Sequence, residues 1–263
     1  MTASPLAELP ADQVLKTVRT YRQGPLLTVE LHLPEEGNAV GDAMLDDLLT
    51  VLDHQDPGVR VLVLSAAGDA FCLGGDRREF PQQLDADPTG DGIRVSGKKA
   101  LRVCEALTAN PAVTVARVQG RAVGAGVGLL LACDLRVGVD TATFRLPELA
   151  LGVPPAWGGL LPRLISEVGV ARVRELLLTA RVFDAQEALA LSLLHKVVPA
   201  DALDDAVMAY AKPVLRRPAS AVRVTKAMLQ SLAAPTRLAD VSLFDPELLT
   251  AVLTGQRAAG TAR

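Results

Sequence analysis

Aromatic side chains are scarce in this chain, with one tryptophan, two tyrosines and five phenylalanines among 263 residues. A core must therefore be built from aliphatic residues, and a hydrophobic content of 49% is ample for one. Cysteine is equally thin. Cys72, Cys104 and Cys133 are scattered, with neither zinc-site spacing nor a paired framework, which points to a reduced cytoplasmic setting. Positive charge is not in excess: the net charge is −3, so no basic field draws in nucleic acid or an acidic membrane. Long apolar runs are missing too. The stretch between Arg121 and Asp134 has 12 uncharged residues, against the roughly 20 that a membrane span requires. Met1–Pro10 has no basic region followed by an apolar run, so no signal peptide is expected and the chain reads as soluble. The length suits one large domain, or one domain with an appended helical segment.

Glycine is what the chain has in pattern. Gly120, Gly124, Gly126 and Gly128 punctuate a segment between an expected buried strand, Ala112–Val118, and an expected helix through Ala132. Glycines there let another backbone or a ligand approach closely, and a helix start leaves amide N–H groups without partners. A second glycine turn, Phe71-Cys72-Leu73-Gly74-Gly75-Asp76, follows another apolar strand about fifty residues earlier. Two such turns can each aim one N–H at the same oxygen, which is the geometry of an oxyanion hole.

The rest of the chain alternates strands and helices. Leu26–Leu33 reads as a strand ended by Pro34, Met44–Leu52 as a helix with apolar residues at helical spacing, and Val59–Leu64 as a buried strand. Pro81–Gly97, rich in Asp, Gly and Pro, reads as a long mobile loop before a helix over Lys98–Ala109. Leu135–Val139 and Thr143–Leu146 read as short strands. From about Gly169 the pattern is helical: Ala171–Leu178, Asp184–Leu191, Asp201–Leu215 and a further helix after Pro218. Asp184 followed by Glu187 resembles a capping box. Strand, turn, helix and strand in succession argue for an α/β architecture with parallel pairing.

The residues that could carry chemistry each have a plainer reading. Gly124-Ala125-Gly126-Val127-Gly128 is not a dinucleotide turn, because its third glycine comes one position early and no acidic residue follows at the required place. Glycines for tight helix packing alone remain an alternative. Glu148, in Leu146-Pro147-Glu148-Leu149, is either a partly desolvated acid/base or a loop glutamate facing water. His32, His54 and His195 share no spacing with a Ser or Cys nucleophile elbow, and Cys133 reads as core.

Taken together, these segments resemble the crotonase (enoyl-CoA hydratase/isomerase) superfamily from about Leu26 to Leu229. The resemblance is carried by Leu33-Pro34-Glu35 through Asn38-Ala39, by Ala70–Asp76, by Gly120–Asp134, by Phe144–Gly152 and by Ala185–Val198. It implies an α/β fold of the ββα spiral type over residues 1–198, with a helical, oligomer-forming region over 199–263. It implies that the backbone N–H groups of Gly75 and Ala125 hold a thioester oxygen and that Glu148 is the acid/base. Lys226 matches a lysine placed near the phosphates of CoA. The substrate would be an acyl thioester on CoA or on the phosphopantetheine of a carrier protein, with no further cofactor and no metal, and the assembly a homotrimer or homohexamer. Arg77 and Arg78 could meet an acidic carrier or simply face water.

Two departures narrow this. Fatty-acid-type hydratases carry a second glutamate where this chain has Gly128, and Trp157 replaces a small residue and would narrow or cap a pocket. The pattern is similar to the dehydratases of polyketide β-branching, which act on 3-hydroxy-3-methylglutaryl-type thioesters with one glutamate. Dehydration or hydration of a 3-hydroxyacyl thioester is therefore the leading expectation, with double-bond isomerisation and non-catalytic thioester binding as alternatives. Asp245–Arg263 does not read like the usual family ending.

Overall fold

The computed structural model describes residues 13–233 and 242–260, so Met1–Pro10 lies outside the described residues. The chain opens with β1 (Gln13–Val14), β2 (Val18–Gln23) and β3 (Leu26–Leu31), an antiparallel meander. There follow α1 (Asp42–Asp53), β4 (Val61–Ala66), β5 (Ala70–Cys72), α2 (Glu79–Ala86) and α3 (Asp91–Thr108). The next unit is β6 (Val113–Val118), β7 (Arg121–Val123) and α4 (Ala125–Leu131), and then β8 (Leu135–Val139) and β9 (Thr143–Arg145). The remaining elements are α5 (Leu160–Val168), α6 (Val170–Thr179), β10 (Val182–Asp184), α7 (Ala185–Ala190), β11 (Lys196–Val198), α8 (Leu203–Arg216), α9 (Ala219–Ala233) and α10 (Asp245–Ala258).

The strands alternate between two sheets. A seven-stranded sheet runs β1-β2-β3-β4-β6-β8-β11, and a four-stranded sheet runs β10-β9-β7-β5. Each of the pairs β4/β5, β6/β7 and β8/β9 gives its first strand to the large sheet and its second to the small one. Within both sheets these successive strands pair in parallel. This is the ββα spiral that the family resemblance implies, an α/β fold with mixed sheets. Every residue of β4 is buried, which explains why it reads as a continuous apolar run rather than an alternating one. On α1 the buried residues Met44, Leu45, Leu48 and Leu49 recur at helical spacing. Among the described residues no helix is long and apolar enough to cross a membrane.

One expectation is overturned. Pro81–Gly97 is no long loop: α2 runs through it to Ala86 and α3 starts at Asp91. The Asp-rich turn between them is a compact cap, where the Asp87 carboxylate accepts from the Thr89 N–H at 2.9 Å, the Thr89 hydroxyl at 2.7 Å and the Asp91 N–H at 3.2 Å. Glycine inside α3 serves packing. A β-carbon built on Gly97 would lie 2.9 Å from Pro246 Cβ, so the gap lets α10 seat against α3. Leu84, Ile93, Ala156 and Leu249 then form a small apolar cluster separate from the main core. Asp184 does cap α7, accepting the Glu187 N–H at 2.8 Å, while the Glu187 carboxylate turns to Arg181 instead of closing the box.

Candidate active site

The two glycine turns meet. Gly74, just past β5, has φ +105°, and a β-carbon there would sit 3.2 Å from the Val123 carbonyl and 4.0 Å from the Ala125 nitrogen. Only glycine combines that backbone with that approach. The turn is pinned on both sides by β-type bonds, from the Val40 N–H to the Gly74 carbonyl at 2.8 Å and from the Asp76 N–H to the Val40 carbonyl at 3.0 Å. Between them the Gly75 N–H makes no hydrogen bond, and a β-carbon on Gly75 would meet nothing within 4 Å. Ala125 is the first residue of α4, so its N–H has no intrahelical acceptor and is likewise unbonded. Both residues line one cavity of about 210 Å³.

Glu148 lines the same cavity. It follows β9 and the buried pair Leu146-Pro147, and the one-turn helix over Leu149–Leu151 fixes its backbone. The residue is 8% exposed, and a β-carbon built on Gly124 would lie 3.0 Å from Glu148 Oε1. The carboxylate therefore rests on the bare Cα of Gly124, next in chain to the free amide of Ala125. Glu148 Oε2 is buried with no hydrogen-bond partner. Burial disfavours the charged form and pushes the Glu148 carboxyl up to about 7, against the counteracting effect of its own backbone N–H. Near neutrality the group is thus divided between carboxylate and acid, the state suited to accepting and returning one proton.

Among the described residues Glu148 is the only acidic side chain lining this cavity. The position of a second carboxylate, Gly128, is filled from the other side: a β-carbon there would lie 2.8 Å from both Cε3 and Cζ3 of Trp157. The remaining walls are mainly apolar, with Leu73, Phe80, Leu84, Val153, Leu249 and Leu253. Leu249, Leu253, Gln256 and Arg257 come from α10, so the C-terminal segment that departs from the family ending builds part of the wall. Sequence reasoning missed these residues; the i, i+4 pair Leu249 and Leu253 was the available signal. Gln256 Nε2 donates to the Gly152 carbonyl at 2.6 Å, and Asp245 Oδ2 accepts the Gly159 N–H at 2.9 Å. Both ends of α10 are therefore tied to the segment that follows Glu148.

Lys226 is placed elsewhere. It is 9% exposed, and its ammonium donates to Asp134 Oδ2 at 2.6 Å and to the Ala112 carbonyl at 2.9 Å. Asp134 also accepts from the N–H and hydroxyl of Thr114, at 2.8 and 3.0 Å. In this position Lys226 neutralises a carboxylate between α9 and the large sheet. Arg78 is also engaged within the chain, with Asp76 at 2.7 Å and with Glu36, whereas Arg77 is exposed at the cavity wall. All three cysteines are buried, and burial pushes each thiol up to about 12, so Cys133 behaves as core. His195 is held neutral, its pKa lowered to about 4 by burial and by the Arg136 charge, and no histidine lines the cavity among the described residues.

Two backbone amides without hydrogen-bond partners and one buried carboxylate thus line a single, mainly apolar cavity on a ββα spiral. The family model described as enoyl-CoA hydratase/isomerase matches residues 22–258, and the chain belongs to that family. Crotonyl-CoA hydratase of Syntrophomonas wolfei is 34% identical over 211 residues, 78% of each chain. Hydroxycinnamoyl-CoA hydratase-lyase of Pseudomonas fluorescens is 30% identical over 214 residues, 80% of this chain and 77% of the other. The crystal structure of a Thermobifida fusca YX protein in complex with CoA superposes with a TM-score of 0.76 at 30% identity, covering 94% of both chains.

Proposed function

We propose that this protein is a lyase that dehydrates a 3-hydroxyacyl thioester, or hydrates the corresponding enoyl thioester, with Glu148 as its one acid/base. A single observation carries this reading: a buried carboxylate with an unpartnered oxygen shares a cavity with two unbonded backbone amides. Glu148 takes the proton from the α-carbon, and the electron pair of that C–H bond moves onto the thioester oxygen. The N–H groups of Gly75 and Ala125 hold the resulting enolate, each donor contributing roughly 3–4 kcal/mol. Protonated Glu148 then delivers its proton to the β-hydroxyl, which leaves as water while the enolate collapses to the α,β double bond. One group acting on both atoms requires them to lie on the same face, so the elimination is syn.

The single glutamate and the Leu146-Pro147-Glu148-Leu149 pattern favour a branched, 3-hydroxy-3-methylglutaryl-type acyl group of the kind handled in polyketide β-branching. The carrier is CoA or an acyl carrier protein, and assembly as a trimer or a pair of trimers accompanies this reading. Double-bond isomerisation is the second reading, favoured by the Trp157 ring standing where a water-positioning acid would be. There Glu148 shuttles one proton between two carbons and no water enters or leaves.

The test is mass-spectrometric turnover of matched 3-hydroxyacyl and enoyl thioesters, on CoA and on a carrier protein, in deuterated water. Gain or loss of one water establishes the lyase. A deuterium shift without water change establishes the isomerase. Thioester binding with neither change would leave a non-catalytic binder and overturn both.

A further inference from the structure

Trp157 is the only tryptophan of the chain, and its position is specified by several neighbours. The ring edge lies on α4 where Gly128 has no side chain, so any larger residue at 128 would displace it. Its carbonyl accepts the Leu160 N–H at 2.9 Å, and the Gly158-Gly159 turn behind it runs at φ +56° and +71°. Gly159 is tied to α10 through Asp245.

Beyond the indole lies a second, smaller cavity of about 30 Å³, between the start of α1, the turn after β5 and α3. Val40, Leu45 and Ile93 contribute apolar surface to it, and Asp42, Asp76, Glu79 and Ser96 line its polar side. Four residues line both cavities: Gly75, Phe80, Trp157 and Leu249. The partition therefore starts at the amide that would hold the thioester oxygen, and an acyl chain leaving that oxygen meets it within its first few carbons.

We propose that Trp157, seated on the bare backbone of Gly128, is the end wall of the acyl cavity and restricts the site to short acyl chains. Removing the ring joins the two cavities and admits longer ones. This rests on the reading of the site as an acyl-thioester site. A mismatch of one methylene in an apolar pocket already discriminates by about 10-fold or more, so a wall against several carbons gives a clear length limit.

Binding of saturated acyl-CoAs, which cannot react at the β-carbon, tests this without turnover. Butyryl-, hexanoyl-, octanoyl- and decanoyl-CoA are titrated by calorimetry into wild type, Trp157→Ala and Trp157→Phe, and Trp157 fluorescence is followed in wild type. Expected is butyryl-CoA binding that shifts the Trp157 emission, with octanoyl-CoA weaker by about 10-fold or more. In Trp157→Ala the octanoyl-to-butyryl affinity ratio rises by at least about 10-fold, with Trp157→Phe between the two. Wild-type affinity that is level or rises with chain length overturns the wall while leaving the thioester reading intact, and needs no variant. An unchanged ratio in a Trp157→Ala protein that melts cooperatively does the same. Absence of binding by every acyl-CoA, and by the same acyl groups on a carrier protein, overturns both the wall and the thioester reading.

Discussion

Replacing Glu148 by Gln changes two properties that are usually separate, and the structure gives the sign of both. Glutamine keeps the shape of the side chain but can neither take nor release a proton at neutral pH. General acid–base catalysis contributes typically about 10²–10⁴-fold, so kcat/KM should fall by that factor with substrate binding retained. Stability should move the other way. The folded carboxyl stands at about 7 against the ordinary glutamate value of 4.5, raised chiefly by burial. Between those values the folded state holds more proton than the unfolded state, so stability falls as pH rises through the window and is level above it. The difference amounts to about 3 kcal/mol of stability at pH 4.5 that is lost by pH 7. Gln carries no such loss, so the melting temperature of Glu148→Gln should gain on wild type from pH 4.5 to 7 and hold its advantage above. Wild-type kcat/KM should rise with pH along a limb centred near 7, because the carboxylate is the active form. Stopped-flow or coupled assays across that range, with calorimetric melts of both proteins, check every part. A variant retaining more than about a tenth of wild-type activity, or a melting difference that does not change with pH, would refute the reasoning.

Three further outcomes follow from the geometry. Ala125→Pro removes the helix-start N–H at a position where proline suits a helix, and should cost about 10²–10³ in kcat with little change in cooperative melting; full activity would mean that this amide holds no oxyanion. Gly124→Ala places a methyl 3.0 Å from Glu148 Oε1 on a backbone at φ +50°, and should lower both activity and stability, the latter by about 1–3 kcal/mol, as read by paired kinetics and denaturant melts. Lys226→Met leaves Asp134 without its cation, and should cost about 3 kcal/mol of stability while leaving the KM for an acyl-CoA unchanged; a raised KM with normal stability would restore Lys226 to the phosphate site.

What the sequence disclosed, and what it hid, follows contact range. The glycine turns were legible because close backbone approach requires glycine whatever surrounds it, and Gly74 and Gly124 indeed stand at that contact. Strands such as β4, β6 and β8 were legible as β-rich apolar runs. Glu148 was different: locally it reads better as a helix-start or loop glutamate facing water, and the contact of its carboxylate with Gly124 is made by a residue of another element. Only the family resemblance singled it out. The Pro81–Gly97 segment was misread because Gly92 and Gly97 break local helix propensity, while the packing of α10 that stabilises α3 is contributed from far along the chain. The same holds for the cavity wall, where Gln256 reaches back over 104 positions to the Gly152 carbonyl. Lys226 carried no local sign of its partner Asp134, which lies 92 positions away.

The central claim is that Gly75, Ala125 and Glu148 together generate a thioester enolate. Exchange of the α-protons of butyryl-CoA for solvent deuterium measures that step alone, with no leaving group and no double bond required. Mass spectrometry should show wild type labelling the α-carbon and Glu148→Gln failing to, at equal occupancy. Absence of exchange in wild type with butyryl-CoA bound, or labelling undiminished in Glu148→Gln, would contradict the account.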